Sequence, residues 1–195
     1  MSSSHHQLHD QKISELQYQV AAYEDESAYK MLFFILFPSL KTFAFSIVKS
    51  REFAEEIASD MLLEVWIRRK QLMDIQNLKL YLFTGAKHAA VNKLKLENKH
   101  SRFALENLQV EFISDYANPE QCAELHELQS SIAKAVSELP PSCQLIYKLA
   151  KEDRLRYKDI AELLELSIKT IDHQLSIALK KIGGAVKVAS LKKNC

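Results

Sequence analysis

The stretch YKDIAELLELSIKTIDHQLSIALKK, Tyr157 to Lys181, sets both the fold class and the chemistry of the chain. Ile160, Ala161 and Leu164 recur at the spacing of one apolar helix face. Leu166 is placed to pack in a tight turn, and Ser167 is a strong N-cap for a second helix. In that second helix Ile171, Leu175, Ala178 and Leu179 fall on the inward side. Lys169, Thr170, Asp172, His173 and Ser176 then point outward near its start, where a recognition helix meets base edges. Lys180 and Lys181 follow, suited to phosphates or to a helix C-terminus. The small Ala161 lets two helices cross closely. A short helix, a tight turn, a Ser cap and a polar outer face together describe a DNA-binding helix-turn-helix rather than an ordinary helical hairpin.

Upstream, AELHELQSSIAKAVSEL carries Leu125, Leu128, Ile132, Val136 and Leu139 at helical spacing, and Pro140-Pro141 ends it. Ser142 is placed to cap the helix that follows. Further back the charge inverts: Phe103 to Glu127 holds six acids and no Lys or Arg. Asn118-Pro119 and weak periodicity mark this stretch as a linker. Before it, Leu78 to Arg102 holds six Lys or Arg and one acid, Glu97. Leu78, Leu82, Ala89 and Leu96 give its apolar side. Lys79, Lys87 and Lys93 lie within about a third of a turn of one another. Such a stripe is either a nucleic-acid footprint or a solvated face.

Arg68 to Asn77 breaks the pattern and reads as a loop. In REFAEEIASDMLLEVWIRR before it, Phe53, Ile57, Met61 and Val65, widened by Ala54, Ala58, Leu62 and Trp66, form an apolar stripe. Glu52, Glu55, Glu56, Asp60 and Glu64 occupy the opposite face, on pattern alone a solvated acidic surface. Helical periodicity begins near Ile13, after a polar tail of residues 1–12. His5, His6 and His9 in that tail have nothing to orient them as metal ligands.

Composition agrees with an all-α chain. Of 195 residues only 3 are Gly and 4 Pro, too few for a turn-rich β fold, while 47% are hydrophobic, enough for packed cores. The formal net charge of +1 excludes no partner by itself. Cys122, Cys143 and Cys195 form no CxxC and are odd in number, which fits a reducing cytosol better than a disulfide framework. MSSSHHQLHDQK lacks the layout of a signal peptide. The longest apolar run, Met31 to Phe37, is far short of the ~20 residues a bilayer needs and reads as a buried helix segment. No nucleophile–base pair, metal cluster or Gly-rich phosphate loop is visible, so neither an enzyme nor a cofactor is expected.

Two blocks give the chain a family resemblance. AEEIASDMLLEVW (Ala54 to Trp66), followed by YLFTGAKHAAVNKL, resembles regions 2.2 to 2.4 of the sigma-70 family. ELPPSCQLIYKLAKEDRLRYKDIAELLELSIKTIDHQLSIALKKI is similar to its region 4. Both stand in the order of a small sigma factor of the extracytoplasmic-function type. The resemblance implies two small helical domains joined by a linker. Residues 13–98 would form region 2, 99–121 the acidic linker, 122–186 region 4 and 187–195 a C-terminal tail. It further implies that Glu55, Glu56, Ser59, Asp60, Leu63 and Glu64 dock on core RNA polymerase. Asn77, Lys79, Lys87, His88, Asn92 and Lys93 would hold the promoter −10 element. The loop Lys70 to Asn77 resembles one that captures a flipped base. Tyr157, Lys158, Lys169, Thr170, Asp172, His173, Ser176 and Lys180 would read the −35 element.

The implied partners are core polymerase, promoter DNA and an anti-sigma factor, membrane-anchored in many relatives. The chain itself would be cytoplasmic and not inserted in a membrane. Residues 99–121, fully extended, reach roughly 75 Å, against roughly 50 Å for one and a half DNA turns. The sequence departs from the family in three places: His88 stands where many relatives have Asn, and Arg154 and Glu165 where relatives often have Gly. At Glu165 a left-handed turn would cost ~1 kcal/mol or more without Gly. Asp172 would accept from a cytosine amino group or orient a neighbour. The rival reading of the residues is a helix-turn-helix regulator whose N-terminal half senses or dimerises.

Overall fold

A computed structural model describes the backbone of residues 2–96 and 123–191 and the side chains of residues 10–96 and 130–187. The acidic linker, Cys122, Cys195 and the side chains of His5, His6 and His9 lie outside those residues. Helices make up the described residues, without a strand. The chain divides into two compact units, Met1–Phe103 and Ala104–Cys195.

The N-terminal unit contains α1 (Ser2–Tyr23), α2 (Glu26–Val48), α3 (Arg51–Ile67), a short 3₁₀ segment (Arg69–Asp74) and α4 (Leu78–Leu96). Helix α2 is its centre and packs against α1, α3 and α4. Its start is fixed by Asp25, whose carboxylate accepts from the N–H of Ser27 (2.7 Å) and of Ala28 (3.1 Å). Its end is Lys49, in the left-handed conformation at φ 57°. Ser50 then caps α3. Leu32, Leu36, Leu40, Phe43 and Ile47 recur on the buried face of α2, and Leu62 of α3 and Leu82 and Phe83 of α4 are buried likewise. The rings of Phe43 and Phe83 meet edge to face at 5.1 Å. Gly85 lets α3 approach α4: a Cβ there would collide with the end of the Met61 side chain.

Three expectations change in this unit. Helix α1 begins at Ser2 rather than near Ile13, because nothing in residues 2–12 breaks a helix and Ile13, Leu16 and Val20 anchor it in the core. The loop after α3 contains the 3₁₀ segment, anchored by buried Leu72. The run Met31 to Phe37 is only half buried: Leu32 and Leu36 point inward, while Phe34 is 77% and Met31 42% exposed. Taken whole, α2 is long and apolar enough by length and composition to cross a membrane, the one such helix among the described residues, and half of that stretch is buried within the unit.

The C-terminal unit contains α5 (Ala123–Ser137), α6 (Pro141–Tyr147), a π-helical turn (Lys148–Glu152), α7 (Tyr157–Leu164) and α8 (Ile168–Leu191). Helix α8 packs against α5, α6 and α7. Its core joins Ala135, Val136, Leu139, Cys143, Ala178 and Ile182. Burial pushes the Cys143 thiol pKa up, and its sulfur meets the Gln174 side-chain oxygen. Helix α6 starts at Pro141, not after Ser142, since proline's fixed φ and missing N–H suit the first helical position. Helix α8 runs to Leu191, so residues 187–191 continue the helix instead of forming a tail.

Candidate nucleic-acid and polymerase interfaces

The helix-turn-helix is α7, its turn and the start of α8. Glu165 ends α7 in the left-handed conformation (φ 58°, ψ 41°), and Arg154 before α7 does the same (φ 58°). The Leu166 N–H donates to the Ala161 carbonyl at 2.9 Å, which wraps the chain back over α7. Ser167 then accepts from the Thr170 N–H at 3.0 Å and caps α8. Arg156 grips Asp159 through two hydrogen bonds of 2.8 and 2.9 Å, and Asp159 is buried. That pair fixes the first turn of α7 beside Tyr157 and Lys158, both exposed.

Ile171, Leu175 and Ala178 are buried, and Ile182 continues their row. Leu179 does not: it is 46% exposed, because Ala178 and Ile182 occupy the contact with α5. Lys169, Asp172, His173, Ser176 and Lys180 are exposed, and Thr170 is half-buried. The Ser176 hydroxyl donates to the Asp172 carbonyl at 2.9 Å, leaving its lone pairs to accept. Lys181 is anchored on Glu138, bonding its carbonyl at 2.7 Å and pairing with its carboxylate at 3.3 Å. Lys180 is therefore the phosphate candidate of the two.

In the N-terminal unit α3 presents Glu55, Glu56, Asp60 and Leu63 to solvent, with Ser59 and Glu64 half-buried beside them. Leu63 is 52% exposed, and Ile67, one turn on and absent from the sequence reading, 61%. The acids are tied to neighbours: Glu55 to Lys41 (2.7 Å), Glu56 to Lys93 (3.0 Å) and Glu64 to Arg68. Asp60 makes no ion pair among the described residues.

Helix α4 overturns the expected lysine stripe. Lys79 and Lys87 are each only 7% exposed, and the Lys79 ammonium pairs with Asp10 of α1 at 2.8 Å. Lys93 pairs with Glu56 and lies 4.2 Å from the Phe53 ring centre. The physical reason lies in which apolar residues are buried. Leu78, Leu82, Phe83, Ala86, Ala90 and Leu94 form the inner face, while Leu96 is 82% exposed and Ala89 only half-buried. Orienting the helix by Ala89 and Leu96 turned the lysines outward. The outer face is instead Tyr81, Thr84, His88, Asn92 and Lys95, at successive helical turns. His88 and Asn92 thus stand where expected; Tyr81, Thr84 and Lys95 were missed. The one signal in the sequence is Phe83, bulkier than Ala89; Leu94 and Leu96 are equal in size. Asn77 acts as a cap: its side-chain oxygen accepts from the Leu80 N–H at 3.1 Å.

Between α3 and α4 the 3₁₀ segment is fastened by α1 and the chain just after it. Arg69 pairs with Glu24 at 2.8 Å, and its guanidinium carbon lies 4.9 Å from the Trp66 ring centre. The Arg69 hydrogen bond and charge hold the Glu24 carboxyl below its usual range. Gln17 Nε2 donates to the carbonyls of Leu72 and Ile75, each at 2.7 Å. Gln71, Met73, Asp74 and Gln76 remain exposed on the loop. Among the described residues no three His, Cys, Asp or Glu come together as a metal site.

Comparison with known proteins agrees with this geometry. Residues 129–182 match the family model described as Sigma-70, region 4. The fold is similar to the sigma factor RpoE of Bartonella quintana, solved in complex with the anti-sigma factor NepR. That match has a TM-score of 0.52 and 21% identity, and covers 82% of this chain and 97% of that one. No curated protein matches the chain in sequence. Residues 129–182 of the C-terminal unit are thus similar to sigma-70 region 4, and the chain shares the fold of that sigma factor.

Proposed function

We propose that this chain is a promoter-specificity subunit that binds core RNA polymerase, then a two-part promoter, and helps open the −10 region. The observation that carries the reading is the capped helix-turn-helix within the matched region 4, with Lys169, Asp172, His173, Ser176 and Lys180 exposed on its reading face. Its hydrogen-bonding groups suit base edges of the −35 element in the major groove. The role is binding, without chemistry of its own.

Helix α3 offers the polymerase surface. Asp60, Glu56 and Glu55 would meet a basic partner, with exposed Leu63 and Ile67 as apolar anchors between them. The outer face of α4 and the loop before it would take the melted −10 strand. Tyr81 supplies a ring for base stacking, His88, Asn92 and Thr84 supply hydrogen bonds, and Lys95 supplies charge. The loop would receive a base turned out of the stack. The Bartonella relative was solved with an anti-sigma factor, and an inhibitor of that kind, membrane-anchored as in many sigma factors of this type, is proposed for this chain in a cytoplasmic setting.

The test is association. Purified chain mixed with core polymerase should co-elute on gel filtration, and Asp60→Arg should abolish the complex without unfolding the chain. No complex with the wild-type chain, or a complex indifferent to Asp60→Arg, contradicts the proposal.

A further inference from the structure

We infer that Gln17 of α1 is the positioning residue for the loop between α3 and α4. Its carboxamide holds that backbone in the shape that receives an unstacked base. The inference rests on the reading of the loop given above.

The geometry is specific. A side-chain amide nitrogen carries two hydrogens, and here both have an acceptor, the carbonyls of Leu72 and Ile75 at 2.7 Å. Ile75 is where the chain leaves the 3₁₀ turn for extended backbone, at φ −89° and ψ 104°. Gln17 therefore bridges both sides of the break. Leu72 is 1% exposed and pins the middle of the segment, while Arg69 pins its start on Glu24. With those backbone points held, Gln71, Met73, Asp74 and Gln76 are the side chains left free toward solvent. Short irregular segments with few bonds to the body open readily. Two hydrogen bonds from another helix oppose that opening. A receptacle already in shape spares the bound base the ordering cost that a loose loop would impose.

The contact spans α1 and the loop, so it is testable apart from the loop's own side chains. Full-length chain is assembled with core polymerase on a promoter fragment found by run-off transcription. Single abasic sites are then placed along the non-template strand of the −10 element. Wild type should show one position where base removal sharply weakens binding. In Gln17→Ala, and in Gln17→Glu, which sets a carboxylate against two carbonyls, that penalty should shrink about tenfold, the scale of two lost hydrogen bonds. Exchange of the amides of residues 71–76 should quicken, while −35 binding stays put and the melting temperature falls only by the few degrees that two lost hydrogen bonds imply. An unchanged penalty overturns the inference. So does a penalty that falls only together with −35 binding and thermal stability, since that marks a general structural role. If Gln71→Ala, Asp74→Ala and Gln76→Ala leave the wild-type penalty unmoved, the loop reading fails, and the inference with it.

Discussion

Glu165 and Lys49 each hold a left-handed backbone without being glycine, one in each unit. A Cβ in that conformation costs ~1 kcal/mol or more. Glu165→Gly should stabilise the C-terminal unit and Lys49→Gly the N-terminal one, each by roughly 0.5–1 kcal/mol in urea denaturation. Unchanged midpoints would mean that local contacts of the native side chains offset the strain. Ser167→Ala, which removes the α8 cap, should destabilise by about 1 kcal/mol. Glu24 adds a pH dependence. Its folded-state pKa is depressed by Arg69, so its contribution is complete above the usual glutamate value of about 4.3 and fades as pH falls below it. Glu24→Gln should remove that contribution at neutral pH and flatten the acid limb of the stability curve below about pH 4.3. On the reading face, His173→Ala should relax −35 preference by ~1–3 kcal/mol at one base pair, measured by binding to singly substituted sites.

At the scale of elements, α4 separates charge that is spent internally from charge that is free. Lys95→Ala should lower the salt slope of promoter binding by about 1, as the loss of one phosphate contact does. Lys93→Ala should leave that slope unchanged, because Lys93 is committed to Glu56 and Phe53. Equal slopes for both variants would return Lys93 to the DNA surface. The same helix shows what was legible in the sequence and what was not. Its existence and approximate length followed from periodicity. Its rotation was marked only by Phe83, because alanines occur on both sides of α4 and the choice between Ala89 and Ala86 turns the outer face. In α7 and α8 the rotation was legible, since Ile160, Ile171 and Leu175 leave little choice, and only Leu179 was misplaced. The contacts of Gln17 were not legible, because a bond to a residue 55 positions away has no local signal.

At the scale of the molecule, the two units carry separate surfaces that the proposed role would use together. The N-terminal unit carries an acidic, partly apolar face on α3 and a polar, aromatic face on α4. The C-terminal unit carries the helix-turn-helix. A regulator that only grips DNA needs the last of these, whereas a promoter-specificity subunit uses all three. Fully extended, the 23 residues 99–121 would reach roughly 75 Å, enough for the two promoter elements of the proposed role. The most direct measurement is run-off transcription by core polymerase on genomic fragments, with and without the chain. The account predicts discrete transcripts that appear only with the chain and vanish with Asp60→Arg. Binding of the chain to DNA with no new transcript from any fragment would contradict it.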